Sequence, residues 1–310
     1  MTKLPSDKVF IEKCALYLKY LRWGAECLVA YFFFTLFWIL PYRAASNLGG
    51  AIGTIFGPLS PVNDRVERNL MRAIPSLTGP EREQIIIDIW SNFGRVLAEY
   101  PHLYKFKNKK FFNKYVKVEN PQLFNDIVTK KILSIMVSGH FGNWEFNAIA
   151  AYHFNLILKL IYRRPNNYWL DGLLKKMRGD GTFAFFHPKG KEGAKALISS
   201  LGKKESVGML ADQKMNNGIA SPFFGMEAMS PTAPAEFALK YKAKIYITRV
   251  IRRKGCYFTF EIQELNPRTP AALDKEAQVQ WVTDKINAQF EEWIKDQPGQ
   301  WLWMHNRFPK

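Results

Sequence analysis

The sequence predicts a three-layer α/β/α fold around a mostly parallel, mixed sheet, preceded by an N-terminal membrane-associated helix. Three observations carry that expectation. From about residue 112, short apolar runs rich in β-branched residues alternate with segments of helical periodicity, the pattern of strands joined by crossover helices. The last two runs, 245–252 and 257–263, have only Arg253 to Cys256 between them, too few for a crossover, so an antiparallel hairpin at a sheet edge is expected. The first hundred residues have a different texture, helical throughout and opening on a basic stretch and a charge-free apolar run.

Lys3, Lys8, Lys13, Lys19 and Arg22 precede the apolar run Cys27 to Leu40, which Pro41 closes. As a helix the run would span about 21 Å, short of the ~30 Å hydrocarbon core, so a short tilted span or a helix embedded in one leaflet is expected, with a buried core helix as the alternative. The basic flank places its N-terminal side toward the cytoplasm, and the absence of a clean small-residue cleavage site favours a retained anchor over a signal peptide. Gly49, Gly53 and Gly57 form a small-xxx-small stripe that suits close approach of a second helix, with the anchor itself as the candidate partner. A polar helix over 63–73 follows, then a helix announced by Thr78, Pro80 and Glu81 and continued by Ile85, Ile86, Ile89, Phe93, Val96 and Leu97.

Strands are expected over 115–119, 132–138, 156–163, 182–186, 206–211, 245–252 and 257–263. Helices are expected over 121–129, 144–151, 168–177, 190–201, 232–241 and 274–294. In an open α/β sheet the chemistry gathers where parallel strands end.

The run Ser138-Gly-His-Phe-Gly-Asn-Trp-Glu145 lies at one such end. A carboxylate that orients an imidazole gives a base able to take a proton from a hydroxyl, and Glu145 in a first helical turn is one source of that carboxylate. The spacing alone is equally compatible with a buried core His and a capping Glu. On the same rim, Arg163, Arg164, Asn166 and Asn167 end another strand and suit a phosphate or a developing oxyanion. Asp212 and Gln213 end a third. Each of these segments, taken by itself, reads more readily as a loop than as a site.

The formal charge of +17 suggests an anionic partner: nucleic acid, an anionic membrane surface or an acidic carrier protein. The basic residues cluster over 105–117 and 240–254. Cys14, Cys27 and Cys256 form no C-x-x-C pair, and the odd count fits a reducing compartment. The histidines lack metal-ligand spacing, and no G-x-S-x-G elbow supports a serine hydrolase.

Taken in order, the H-x-x-x-x-E pair His140 and Glu145, Tyr-Arg-x-Pro-Asn-Asn, Ala-Asp-Gln, Pro-Phe-Phe-Gly and the closing Gln300-Trp-Leu-Trp-Met-His-Asn-Arg307 resemble the bacterial lipid A late acyltransferases, within the glycerol-phosphate acyltransferase-like superfamily. The resemblance covers nearly the whole chain. It implies residues 1–60 as anchoring helices and 61–310 as an acyltransferase domain on the cytoplasmic face of a bacterial inner membrane. His140 would be the general base with Glu145 as its orienting partner. Arg163 would bind a phosphate or the oxyanion. Arg164, Asn166, Asn167, Asp212, Gln213 and Gly225 would shape the substrate site. The donor would be an acyl carrier protein thioester, or else acyl-CoA, and the acceptor a lipid A precursor hydroxyl. Anionic membrane lipid is a further expected partner, and no metal or nucleotide cofactor is implied. Lys214 and Asn306 depart from the pattern, where relatives often carry an acid and an Arg. An acyltransferase of another glycolipid or of a lysophospholipid is the near alternative. A membrane-anchored nucleic-acid-binding protein is the alternative from another class, although no nucleic-acid module is recognisable.

Overall fold

The computed structural model describes residues 5–266 and 273–308. Lys3 of the basic N-terminal stretch lies outside them, as does the side chain of Lys8. Four helices come first: α1 (Pro5–Ile39), α2 (Tyr42–Phe56), α3 (Asn63–Ala73) and α4 (Gly79–Glu99). A 3₁₀ segment (Tyr100–Lys107) leads to α5 (Lys109–Tyr115), β1 (Val116–Glu119), α6 (Pro121–Thr129), β2 (Ser134–Ser138) and α7 (Phe146–His153). Then follow β3 (Leu158–Tyr162), α8 (Asp171–Met177), β4 (Ala184–Pro188), α9 (Lys191–Gly202) and β5 (Val207–Leu210). The chain closes with β6 (Ile219–Phe223), β7 (Met226–Ser230), α10 (Ala233–Tyr241), β8 (Lys244–Arg252), β9 (Phe258–Leu265) and α11 (Lys275–Asp296).

The main sheet has the order β1-β9-β8-β2-β5-β3-β4. Strands β8, β2, β5, β3 and β4 are mutually parallel, whereas β9 runs antiparallel to β8, and β1 runs parallel to β9. The expected α/β fold with a mostly parallel mixed sheet is therefore present. The β8–β9 hairpin forms as expected but is not the edge: β1 covers β9, and β8 sits in the interior beside β2. A second, two-stranded sheet, β6–β7, was not expected. Its strands alternate small and apolar residues too briefly to signal, and its turn residues are Phe224 and Gly225, both at positive φ.

Alternation along the strands builds the three layers. Ile135 and Val137 of β2 join Val207, Ile245 and Ile247 in one core, packed under α4, α9, α10 and α11. Met136 points the other way and joins Leu158, Tyr246, Phe258 and Phe260 against α5, α6 and α7. Because both faces are buried, the strands read as continuous apolar runs rather than as alternating ones.

The glycine stripe packs against α4, not against α1. A Cβ on Gly53 would collide with the Trp90 carbonyl, and one on Gly94 with the carbonyl of Gly49. The two backbones thus touch directly, which removes room for any side chain between them. α4 itself starts on a capping box, Thr78 and Glu81 satisfying each other's end groups.

α1 is longer than the apolar run suggested, continuing back through the basic stretch. It is held at two places. Trp23 is buried against Tyr168 and Trp169, and Phe37 is buried near the His102 ring, whose Nε2 bonds the Phe37 carbonyl (2.8 Å). Most of its other large apolar side chains face outward, among them Leu21, Leu28, Phe32 and Ile39. Among the described residues no helix is long and apolar enough to cross a membrane.

Candidate active site

Ser138 ends β2 and lies in register with Leu210, the end of β5. Two residues further along each chain stand His140 and Asp212, so parallel pairing brings them together. Asp212 is 1% exposed and holds His140 at two points: Oδ1 meets Nδ1 at 2.9 Å, and Oδ2 accepts the His140 backbone N–H at 2.8 Å. The Trp301 indole donates to the same Oδ2 at 2.8 Å. Burial pushes the Asp212 carboxyl up, but the His140 charge and these hydrogen bonds outweigh it and hold the group below the usual carboxylate value. With Nδ1–H given to Asp212, the free Nε2 is the basic nitrogen.

The loop geometry behind this is tightly set. Gly142 adopts φ +54°, and a Cβ there would strike the Val250 carbonyl. Its N–H donates to the Gln300 carbonyl (2.9 Å), while Leu302 N–H donates to the His140 carbonyl (3.1 Å). The C-terminal segment is therefore threaded across the histidine loop. α3 fastens that segment in turn, Asn69 donating to the carbonyls of Trp303 and His305.

Glu145 does not orient His140. It is the N-cap residue of α7, and Oε1 is occupied by Tyr100 Oη (2.6 Å), Trp144 Nε1 (3.0 Å) and Arg178 Nε (3.0 Å). Its carboxylate is thus committed to Tyr100, Trp144 and Arg178, while the imidazole is held by Asp212. Burial and the Glu145 charge raise the Tyr100 phenol, so it stays protonated and donates. Burial works against the Arg178 charge, but Glu145 and Tyr100 outweigh it and raise the guanidinium's pKa. Trp144 links the two groups, lying edge-on to the His140 ring at 5.1 Å.

A second buried network supports the first. Arg252 at the end of β8 grips both oxygens of fully buried Glu99, which also accepts from Ser46 and Asn143. Asn143 Oδ1 accepts the Glu145 N–H (3.2 Å), so the α7 start is fixed from below.

The remaining expected residues divide. Arg163, Arg164 and Asn166 line one cleft at the ends of β3 and β4. Asn167 is buried and committed to α1, donating to the Trp23 carbonyl (2.9 Å) and to Glu26 (3.0 Å). Gln213 is half-buried beside Asp212. Gly225 serves the β6–β7 turn, at φ +70°. His305 lies near the pair. Burial, aided by the His140, Arg307 and Arg163 charges and opposed by Asp212, pushes it down to about 4, so it is neutral near pH 7. Arg307 is fully buried, its face on Phe223 and its nitrogens on the Met229 carbonyl, Ser230 and Asn287. The basic cluster over 240–254 is largely paired: Arg249 with Glu261 and Asp296, Lys244 with Glu264, Arg252 with Glu99. Among the described residues no group of three or more His, Cys, Asp or Glu is placed to hold a metal ion.

Tyr100, Glu99, Arg178 and Arg252 were not singled out by sequence as site residues. They come from distant segments and carry no local motif, and Arg178 sits in a run of cations that reads as a solvated face.

A family profile described as bacterial lipid A biosynthesis acyltransferase matches residues 12–310. The chain belongs to that family. Among curated relatives, the lipid A biosynthesis palmitoleoyltransferase of Escherichia coli K12 is 23% identical over 275 residues, covering 87% of each chain. The lipid A biosynthesis lauroyltransferase of the same organism is 23% identical over 314 residues, covering 99% of this chain and 96% of its own. A lipid A biosynthesis acyltransferase of Shigella flexneri matches over 275 residues, also at 23% identity. In this family member, the Ala-Asp-Gln motif and the closing Gln300–Leu302 stretch meet the histidine loop directly, whereas the Tyr-Arg-x-Pro-Asn-Asn motif lines the neighbouring cleft and is tied to α1.

Proposed function

We propose that this chain is a membrane-bound O-acyltransferase that moves a fatty acyl group from an acyl carrier protein thioester to a hydroxyl of a lipid A precursor. One observation carries the mechanism: the His140 imidazole is held through Nδ1 by buried Asp212 at the strand-end rim. His140 Nε2 takes the acceptor hydroxyl's proton as that oxygen attacks the thioester carbonyl. Arg163, on the strand-end loop after β3, would bind a phosphate of the substrate. Collapse re-forms the carbonyl, breaks the C–S bond and expels the thiolate, which takes the proton back from His140. Glu145 acts at one remove, fixing Trp144 and the start of α7.

The outward apolar face of α1 supports membrane association on the cytoplasmic face of the inner membrane, with the helix lying in one leaflet. The lysines over 105–114 would draw an acidic carrier protein by charge. Acyl transfer from labelled acyl carrier protein to a tetra-acylated lipid A precursor tests the proposal. His140→Ala should lower the rate by ~10² or more without unfolding the chain. Full activity of His140→Ala would overturn the mechanism. Transfer to a mannolipid but not to the tetra-acylated disaccharide would overturn the acceptor.

A further inference from the structure

Along the rim from the His140–Asp212 pair, past β5, the ends of β3 and β4 open into a cleft of about 680 Å³. Six cations line it from three separate segments. Lys19 and Arg22 come from α1, Arg163 and Arg164 from the chain after β3, and Lys189 and Lys191 from the β4–α9 connection and the first residue of α9. Glu192 is the sole acid among the lining residues. Arg22 lies 3.4 Å from Glu26, and Arg164 3.6 Å from Asp171. Among the described residues no carboxylate pairs with the other four. A concave surface lined by one sign of charge concentrates its field, and its stable complement is a compact polyanion.

The opposing walls are fixed to one another. Asn167 ties the β3 loop to the α1 backbone, and the Trp169 ring stacks on Tyr20 (5.9 Å) while Trp23 meets Tyr168 and Trp169 edge-on. The cations of α1 are thereby held facing Arg163 and Arg164 rather than dangling in solvent. Guanidinium and ammonium groups arranged this way match phosphate oxygens. The cleft volume falls within the range of small-molecule sites and suits a phosphorylated sugar better than a protein surface.

We propose that this cleft is a phosphate subsite of the acyl-transfer site, with α1 supplying one wall, so that the anchoring helix also binds substrate. The inference rests on the acyl-transfer reading above. The phosphate has two sources, the phosphorylated sugar of the acceptor or the pantetheine arm of the donor, and binding measurements separate them.

The experiment uses the full chain in detergent micelles and labelled ligands in the absence of the second substrate, so no turnover is needed. The ligands are a bisphosphorylated tetra-acyl disaccharide, its dephosphorylated counterpart, acyl-CoA, and an acyl-pantetheine lacking phosphate. The variants are Lys19→Ser/Arg22→Ser and Lys189→Ser/Lys191→Ser, all at exposed positions, with Lys19→Arg/Arg22→Lys as the charge-retaining control and thermal melting to verify folding. Wild type and the control should bind the phosphorylated acceptor about tenfold more tightly than the dephosphorylated one, and each Ser pair should lose that preference. Loss of the acyl-CoA over acyl-pantetheine preference instead would assign the phosphate to the donor and still support the subsite. Equal weakening of phosphorylated and unphosphorylated ligands, or no weakening, would overturn it. A chain that shows the phosphate preference but transfers no acyl group would sink the catalytic reading and leave the subsite standing.

Discussion

The Asp212 carboxylate holds His140 by both its ring and its backbone, Oδ1 at 2.9 Å from Nδ1 and Oδ2 at 2.8 Å from the amide nitrogen. One side chain therefore sets both the tautomer of the imidazole and the path of the loop that carries it. Asp212→Asn should show this directly. An amide NH₂ facing Nδ1 forces the other tautomer, placing the proton on Nε2 where the base is needed. We expect kcat to fall by about 10²–10⁴ with melting temperature little changed. Steady-state acyl transfer beside a thermal melt measures both, and a kcat within threefold of wild type would rule the pairing out of the mechanism.

Glu145 should behave differently. Glu145→Ala leaves Arg178 as a largely buried, unpaired cation, which costs about 3–5 kcal/mol of stability. Arg178→Ala removes the other half, so Glu145→Ala/Arg178→Ala should be destabilised by less than the sum of the singles. Urea unfolding of the four proteins completes the cycle. Strict additivity would mean the two groups do not interact in solution.

Acid should weaken the fold through two buried histidines. His102, buried against the Phe37 carbonyl and repelled by Lys105, is pushed down to about 4, as is His305. Unfolded histidines protonate near pH 6.5, so between roughly 6.5 and 4 the unfolded chain binds more protons than the folded one. Both groups thus contribute stability that is full above about pH 6.5 and is lost as pH falls toward 4. The urea midpoint should drop between pH 7.5 and pH 5.0, and by less in His102→Gln. An identical drop in that variant would remove His102 as a contributor.

The α2–α4 contact should tolerate no added methyl group. Gly53→Ala places a Cβ against the Trp90 carbonyl, and both partners are backbone, so neither can rotate away. Overpacking of this kind costs about 1–3 kcal/mol. Gly79→Ala, where nothing lies within 4 Å of the new methyl, is the matched control and should leave the urea midpoint near wild type.

Membrane attachment should depend on the outward face of α1. Leu28→Glu/Phe32→Glu/Ile39→Glu changes side chains that are 75%, 65% and 69% exposed, so the fold should survive. In vesicle flotation at high salt, where attraction of basic residues to anionic lipid is screened, the variant should stay at the bottom of the gradient while wild type floats. Flotation of the variant in high salt would show that another apolar surface does the anchoring.

The sequence by itself determined the layers of this protein, because the strands of the main sheet and the long helices declare their type within their own windows, whereas β6 and β7 are too short to do so. The 3.6-residue spacing of Ile85, Ile86, Ile89 and Phe93 and the apolar runs at 134–138 and 244–252 suffice for that. It also placed His140, Arg163 and Asp212 on strand-end loops, since a strand end is a local signal. Which carboxylate would meet the histidine was not local. Glu145 lies five positions from His140 and Asp212 seventy-two, yet the register Ser138 to Leu210 carries Asp212 to the ring, and the turn into α7 takes Glu145 to Arg178. The same holds for the glycine stripe, whose partner was set by the packing of α2 on α4, and for the cleft shared by Lys19, Arg163 and Lys189. Sequence spacing constrains only neighbours along the chain, whereas strand register and helix docking are decided by burying both faces of one sheet at once.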